Sequence, residues 1–414
     1  MTFAAVHGHL RRIPWIRQIT LQFWKWGRDL PRRVRFQKIP ALQRWSGRPV
    51  GWHRTAGEYL ARHPGRGWEK LIRPGGTYER LRPLPLGPAL PPCFDPPQTV
   101  AWEDERVLYL EGGRYWGGYG GSIVTHDEHL LGELSPDIWG LERHTLFNKF
   151  KLPAVAPLPG LTAVLSTAEA DLNYSHWMMD LLPRLDLLAR AGYGPDKVDR
   201  YFINFGGAPY EAETLAFAGL PREKLQAVDA GTHYRCEALV TTSIRPAHWQ
   251  YSLPGWVAGH LRDLIGPVAL PPATRRLYLT RRNASFRRVL NEEALLGPLQ
   301  ERGFEIFDPG TASVRAQAAT FAQAAMIVSP HSSALTNLVF CQPGTPVLEL
   351  HPADYFDVSF WTAATAARIR YHAVVGQRVG PVLRTAIEGR RQDLTIPAAT
   401  FGAQLDALLA SARL

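Results

Sequence analysis

From about residue 160 to residue 375, short β-branched and apolar runs alternate with longer segments of helical periodicity. That alternation constrains the fold more than any other property of the chain. "LTAVLST", "RYFINF", "KLQAVDA" and "EALVTTS" read as strands, and "NYSHWMMDLLPRLDLLARAG", "YEAETLAFAGL" and "PGWVAGHLRDLIG" as helices. After the prolines at 271 and 272 a second series begins, with strands at "RRLYLT", "FEIFDP", "AMIVSP", "PVLELHP" and "IRYHAVV". Its helices are "NEEALLGPLQERG", "VRAQAATFAQA", "SALTNLVF" and one near 356–368. The pattern predicts an α/β protein with parallel sheets covered by helices, and the break near 266–275 predicts two Rossmann-like domains facing a cleft. A chain of 414 residues suits two such cores.

The ends carry the irregular parts. Residues 1–50 hold eleven Lys and Arg against Asp29 alone, while the remainder balances at thirty-six of each sign, so the net charge of +10 belongs to the N-terminus. Trp15, Ile19, Phe23 and Trp26 recur at helical spacing among cations, which suits either an anionic membrane surface reached through residues 10–48 or packing on the body. A basic excess confined to one end argues against a nucleic-acid-binding face. The expected units are 1–50, a basic amphipathic extension; 51–268, an acceptor-side α/β domain; 269–380, a nucleotide-binding domain; and 381–414, a tail or helix packing back on the N-terminal domain. "PLPLGPALPPCFDPP" at 83–97 reads as a connector, and "GGRYWGGYGG" at 112–121 as a turn between strands rather than a phosphate cradle. Cys93, Cys236 and Cys341 lie far apart without CxxC pairing, which suggests neither a disulfide framework nor a zinc site and points to a reducing, cytoplasmic setting.

Ligands in open parallel sheets bind beyond the carboxyl ends of the strands, and three such ends carry suitable chemistry. Arg281 ends "LYLTRR", with Arg287 and Arg288 in the same basic turn. "IVSPHSSALTN" puts His331, Ser332 and Ser333 at a helix start, where unpaired amides favour anionic oxygens, and "VLELHP" leaves Glu349 where a carboxylate meets ribose hydroxyls. Together these describe a nucleotide site. In the first unit, Asn173, His176 and Asp180 share one helix face at i, i+3 and i+7, and Arg184 continues the stripe beyond Pro183. An imidazole beside a carboxylate suits proton removal from a hydroxyl; equally, Asn173 suits an N-cap and the His–Asp pair a surface tie.

These segments resemble glycosyltransferase family 61, which includes bacterial capsular-polysaccharide enzymes, plant xylosyltransferases and animal O-linked N-acetylglucosaminyltransferases. "NYSHWMMDLLPRL" looks like the family's Asn-x-x-His-x-x-x-Asp helix. "LYLTRRNASFRRVLNEEALL" is similar to its Ser-Arg…Arg…Asn-Glu block, and "QAAMIVSPHSSALTNLVFCQPGTPVLEL" to its Gly-x-His-Gly-Ala-x-Leu-Thr-Asn segment. The resemblance implies a GT-B fold and inverting transfer from a nucleotide-diphosphate sugar, a UDP-sugar first among candidates, to a glycan or lipid-linked acceptor. No Asp-x-Asp stands at a strand end where it could hold a metal, so neither metal nor cofactor is expected, and the basic N-terminal segment makes a peripheral place on the inner face of the plasma membrane an expectation. Carried onto this chain, Arg281, Arg287, His331, Ser332, Ser333, Asn337 and Glu349 hold the donor. Asp180 is the base with His176 as runner-up, and Asn173 and Arg184 support the acceptor side. Ser332 and Ser333 stand where the family has Gly and Ala; their side chains either crowd the diphosphate or add hydroxyl donors. That departure also motivates the rival reading, a glycan-binding or scaffolding protein without turnover.

Overall fold

Strands β1 (Ala156–Val164), β2 (Arg200–Ile203), β3 (Leu225–Ala227) and β4 (His233–Thr242) run parallel in the spatial order 3-2-1-4. The computed structural model describes residues 40–80, 82–86, 90–95, 99–135, 137, 140–243, 250–266, 271–382 and 389–411, and the amphipathic stretch around Trp15 to Trp26 lies outside them. Beyond β4 the sheet continues with strands from earlier in the chain. Glu105–Glu111 and Arg114–Trp116 pair antiparallel with its two halves. Gly67–Arg73 follows on one side, and the hairpin Ser122–Val124/His129–Leu131 and then Gly51–His53 on the other. This ten-stranded mixed sheet is not the Rossmann-like unit expected for the first half. The antiparallel strands are mostly three to seven residues long and rich in Gly, Trp and Arg, so they carry little periodic signal.

The second sheet follows the expectation closely. Strands β5 (Arg275–Leu279), β6 (Phe304–Phe307), β7 (Ala324–Pro330), β8 (Pro346–His351) and β9 (Arg370–Val375) are all parallel, in the order 2-1-3-4-5. Every residue of β8 is buried, as a strand covered on both faces requires. The proline-rich 83–97 stretch does more than connect: Leu84–Pro85 adds a parallel edge strand to β9, a position where a missing N–H is tolerated. Phe94 then inserts at 0% exposure against the rings of His351, Trp361 and Tyr371. Phe94→Ala is expected to cost about 3–5 kcal/mol, the usual penalty for emptying such a position, read as a lowered urea midpoint.

Residues 174–191 form one helical rod in three parts: an α turn Tyr174–His176, a π turn Trp177–Leu181, and α1 (Pro183–Ala191). Pro183 has no N–H to give back to the preceding turn. The turn widens instead of ending, and Leu182 N–H reaches the Trp177 carbonyl five residues back at 3.1 Å. Gly192, at φ 92°, closes the rod, with Tyr193 N–H on Leu188 O at 2.9 Å. The remaining helices used below are α2 (Pro209–Phe217), α3 (Gly255–Ile265), α4 (Glu293–Glu301), α5 (Val314–Ala322), α6 (Ser359–Ala366) and α7 (Ala398–Ser411). The segment Ser333–Phe340, expected as an α-helix, is wound as a 3₁₀-helix.

The break near 266–275 separates two sheets but not two cores. One buried apolar cluster takes Trp177, Leu181, Val257 and Leu261 from the first half together with Leu277, Ile327, Leu338 and Val347 from the second. Polar ties cross the same seam: Ser175 to Thr336 at 3.0 Å, Tyr174 to Asn337 at 2.8 Å, and Glu213 to the N–H of Val314 at 2.8 Å. The C-terminal helix also corrects an expectation. It does not pack back on the first half; Phe401, Leu405 and Leu408 are buried against Tyr278, Leu295, Leu299 and Leu348 of the second. Among the described residues no helix is long and apolar enough to cross a membrane.

Candidate active site

In the order 2-1-3-4-5 the chain reverses direction between β5 and β7, and the loops leaving these two strands diverge to open a crevice. Arg281 leaves β5 and Ser332 leaves β7; the guanidinium spans the gap, donating to Ser332 Oγ at 2.8 Å and to Phe286 O at 3.0 Å. Arg287 donates from Nε to His331 O at 3.1 Å and lies over the Phe286 ring at 4.9 Å. Its backbone sits at φ 55°, a left-handed conformation that non-glycine residues adopt at a cost. Burial, then the like charge of Arg287, brings the Arg281 guanidinium down to about 10, so it stays charged at neutral pH. Two buried cations side by side favour an anion of more than one charge. Arg288 turns away to Asp393 at 2.7 Å.

Two cavities meet at this point. One of 530 Å³ is lined by Arg281, Asn283, Asp308, Thr311, Ser332 and Tyr210 among others. One of 480 Å³ is lined by Arg287, His331, Tyr355, Arg390, His176 and Glu169 among others. Tyr174, Tyr210, Arg281 and Ser333 line both, so the cavities are compartments of one cleft walled by both halves of the chain. Ser332 caps the 3₁₀-helix, accepting from Ala334 N–H at 3.2 Å, and Ser333 faces the cleft. The start of α5, at the rim of the larger cavity, is already covered by the Glu213 carboxylate, which leaves the Arg281–Ser333 boundary as the place for an anionic ligand.

Two predicted donor contacts sit elsewhere. Glu349 is 0% exposed and lines neither cavity; it lies two residues short of the end of β8, so it does not reach beyond the sheet to a ribose. Its carboxylate bonds His331 Nδ1 and accepts from Tyr371 Oη at 2.5 Å. Burial alone would raise its pKa; the facing His351 and His331 imidazoles and the Tyr371 hydroxyl hold it below the ordinary carboxylate range. Glu349 therefore fixes His331, which does line the cleft. Asn337 is likewise fully buried, accepting from Tyr174 and donating to Gln317 at 2.7 Å, and works as a tie across the seam.

On the opposite wall, Asn173 both caps its helix, accepting from Ser175 N–H at 2.9 Å, and lines the smaller cavity. His176 presents its ring to that cavity, while Asp180 does not: its carboxylate is 1% exposed behind the ring, with Oδ2 on His176 Nδ1 at 2.6 Å. The far nitrogen, Nε2, lies 3.3 Å from Glu169 Oε2. Burial by itself would lower the His176 pKa, but hydrogen bonds and charge from Asp180 and Glu169 outweigh it and raise the imidazole to about 9. Arg184 is buried behind the wall, donating from Nε to the Asp180 carbonyl at 3.1 Å, and lines neither cavity.

Glu169, Tyr174, Tyr210, Tyr355 and Arg390 are cleft residues that sequence reasoning did not single out. Glu169 had a local signal only in hindsight. It occupies φ 63° just after Ala168, whose backbone is in such close approach to Gly120 (φ 81°) that a side chain at position 120 would collide with it. The glycine run at 112–121 thus helps place the loop that carries Glu169.

No curated protein matches the chain. Residues 174–348, which contain the His176 helix, the Arg281 turn and the His331 strand end, match the family model described as Glycosyltransferase 61. Over that segment the chain is similar to glycosyltransferase family 61.

Proposed function

We propose that the cleft transfers a sugar from a nucleotide diphosphate to a hydroxyl of a glycan or lipid-linked acceptor, of the capsule or cell-surface polysaccharide kind. The two sheets then form a GT-B arrangement. The observation that carries this reading is that one cleft holds the buried Arg281–Arg287 pair on one wall and the His176 imidazole on the other. The diphosphate belongs at the boundary between the cavities, against Arg281, Arg287 and the Ser333 turn. The nucleoside then fills the larger compartment and the sugar points toward His176. Positive charge that a divalent cation would otherwise bring is furnished by the arginines, so transfer proceeds without a metal in the cleft.

His176 is the base in this scheme and Asp180 its positioning residue, the reverse of the assignment expected from sequence. The reacting form is the neutral ring, with Nδ1–H on Asp180 and the Nε2 proton lost to solvent as Glu169 withdraws; the acceptor hydroxyl then donates to the Nε2 lone pair, and the hydroxyl proton passes to Nε2 as the oxygen attacks the anomeric carbon. The bond from that carbon to the diphosphate breaks on the opposite face, and the departing charge falls on Arg281 and Arg287. Configuration at the anomeric carbon inverts.

The test is a panel of nucleotide-sugars offered with EDTA present, scored for donor hydrolysis and, where an acceptor is found, for product anomer by NMR. Turnover of at least one donor, with the product anomer opposite to the donor's, is expected. Binding of a nucleotide diphosphate without any turnover would support the scaffolding alternative; dependence on manganese, or retention of configuration, would overturn the scheme.

A further inference from the structure

Outside the residues matched to the family, three imidazoles gather around one carboxylate. Asp127 sits in the turn 125–128 of the hairpin between Ser122–Val124 and His129–Leu131, and three ring nitrogens converge on its Oδ2. They are His53 Nε2 at 3.0 Å, His63 Nε2 at 3.1 Å and His129 Nδ1 at 3.2 Å. The ligand atoms of His53, Asp127 and His129 all lie within 4.8 Å of one another. A fourth ring, His126, packs edge-on to His63 at 4.7 Å and bonds Tyr59 Oη through Nδ1 at 2.8 Å.

The residues come from three separate elements, each held by its own structure. His53 ends the edge strand Gly51–His53, and His63 is the C-cap of the helix Ala56–Arg62. Asp127 and His129 belong to the hairpin, whose turn is fixed by Thr125 O accepting from Glu128 N–H at 3.0 Å. Gly51 pairs with His129 across the strands, and a Cβ there would stand 3.1 Å from the imidazole, so a side chain at 51 would press on the ring. The adjacent acid, Glu128, is committed elsewhere, to Arg114 and to Arg235. Asp127 is thus left to the histidines, and Thr125 Oγ1 donates to its other oxygen at 2.5 Å.

His53 and His63 hydrogen-bond Asp127 Oδ2, while His129 Nδ1 stands 3.2 Å from that oxygen and 2.9 Å from the main-chain carbonyl of Asp127. A cation placed among His53, Asp127 and His129 takes a lone pair from each ring and from the carboxylate, the ring nitrogens giving up their protons as it binds. Two nitrogens and one oxygen, with the His63 nitrogen alongside and no thiolate, form a set suited to a divalent transition ion, zinc above all, and ill suited to calcium or magnesium. His53 is 2% exposed, while His63, Asp127 and His129 are 27%, 20% and 31% exposed, so the set closes inward and opens to solvent on one side. None of the four lines the cleft cavities.

We propose that His53, Asp127 and His129, with His63 joined to them through the same carboxylate oxygen, bind one zinc-class divalent cation that clamps the edge strand, the helix cap and the hairpin of the N-terminal unit together. The four residues are spread over 77 positions, without the short Cys or His spacings by which such sites are usually read from sequence.

The test uses the full chain after chelator treatment and dialysis. Titration with Zn²⁺ by calorimetry should show one equivalent bound, Co²⁺ should give the visible absorption of a nitrogen- and oxygen-ligated ion, and Mg²⁺ should give neither. Zn²⁺ should also raise the thermal midpoint. The double variant His63→Gln/His129→Gln changes only partly exposed side chains; it is expected to fold, with an unchanged far-UV spectrum, and to lose at least about 100-fold in affinity. Absence of stoichiometric Zn²⁺ binding by the native chain, or undiminished binding by the double variant, would overturn the proposal. If the double variant does not fold, Asp127→Asn, which keeps the side-chain volume, takes its place with the same two outcomes. Neither readout depends on sugar transfer, so this inference stands or falls apart from the function proposed for the cleft.

Discussion

His176→Gln should leave nucleotide-diphosphate binding intact while lowering transfer by roughly 10²–10⁴-fold, the range a positioned base contributes. The glutamine keeps the bulk of the wall and can still hydrogen-bond, so a loss of rate at constant donor affinity isolates proton transfer. The pH profile carries the sharper signature. Held between Asp180 and Glu169, the ring titrates near 9 in the free protein, and only its neutral form accepts a proton. The limb of kcat/KM should therefore rise with pH toward about 9, and Asp180→Asn should move it to lower pH while reducing the rate. A profile that is flat above pH 6 would instead make Glu169 the acceptor of the proton. Stability should run the other way. A histidine whose folded pKa lies above its unfolded value of about 6.5 contributes fully below that value and loses its contribution as pH rises through about 9. The native chain should lose folding free energy over that window, on the order of 3 kcal/mol, and His176→Gln should not.

The second large effect is expected at Arg281. Removing one preorganised donor from developing negative charge typically costs about 10²–10³ in rate, and Arg281 touches both compartments of the cleft. Arg281→Met should therefore weaken nucleotide-diphosphate binding and lower kcat together. Arg281→Lys should recover little, because an ammonium cannot reach Ser332 Oγ and the Phe286 carbonyl with one planar fork. Calorimetry with a nucleoside diphosphate separates the two terms. A variant that binds as tightly as the native chain would remove Arg281 from the donor site.

The second sheet was largely readable from sequence because β7 and β8 are buried, mainly apolar runs flanked by helices with their own boundary signals, such as Ser313 capping the start of α5. The first was half readable. From β1 onward periodicity served, whereas strands of three residues such as Arg114–Trp116 and Ser122–Val124 take their register from tertiary pairing and leave no period to detect. Strand ends led to Arg281, His331 and Ser332, which line the cavities because the topology puts loops there. Glu349 and Asn337 were misplaced because residue type suggests a role without telling on which side of a wall the side chain lies. The same ambiguity applies to Asp180 and His176: helical spacing aligned them on one face, and only depth separates the ring that lines the cavity from the carboxylate behind it.

The apolar cluster shared across the 266–275 break has a mechanical consequence. Lobes that own separate interiors can swing about a hinge; here a swing would tear Trp177 and Leu261 away from Ile327 and Val347, exposing oily surface to water. Substrates should then enter by local yielding of the loops at the mouth, with Glu169 releasing its histidine as the smallest such gate. For the same reason a fragment beginning near residue 271 should be insoluble rather than an autonomous nucleotide-binding module, and heat should melt both sheets in a single transition.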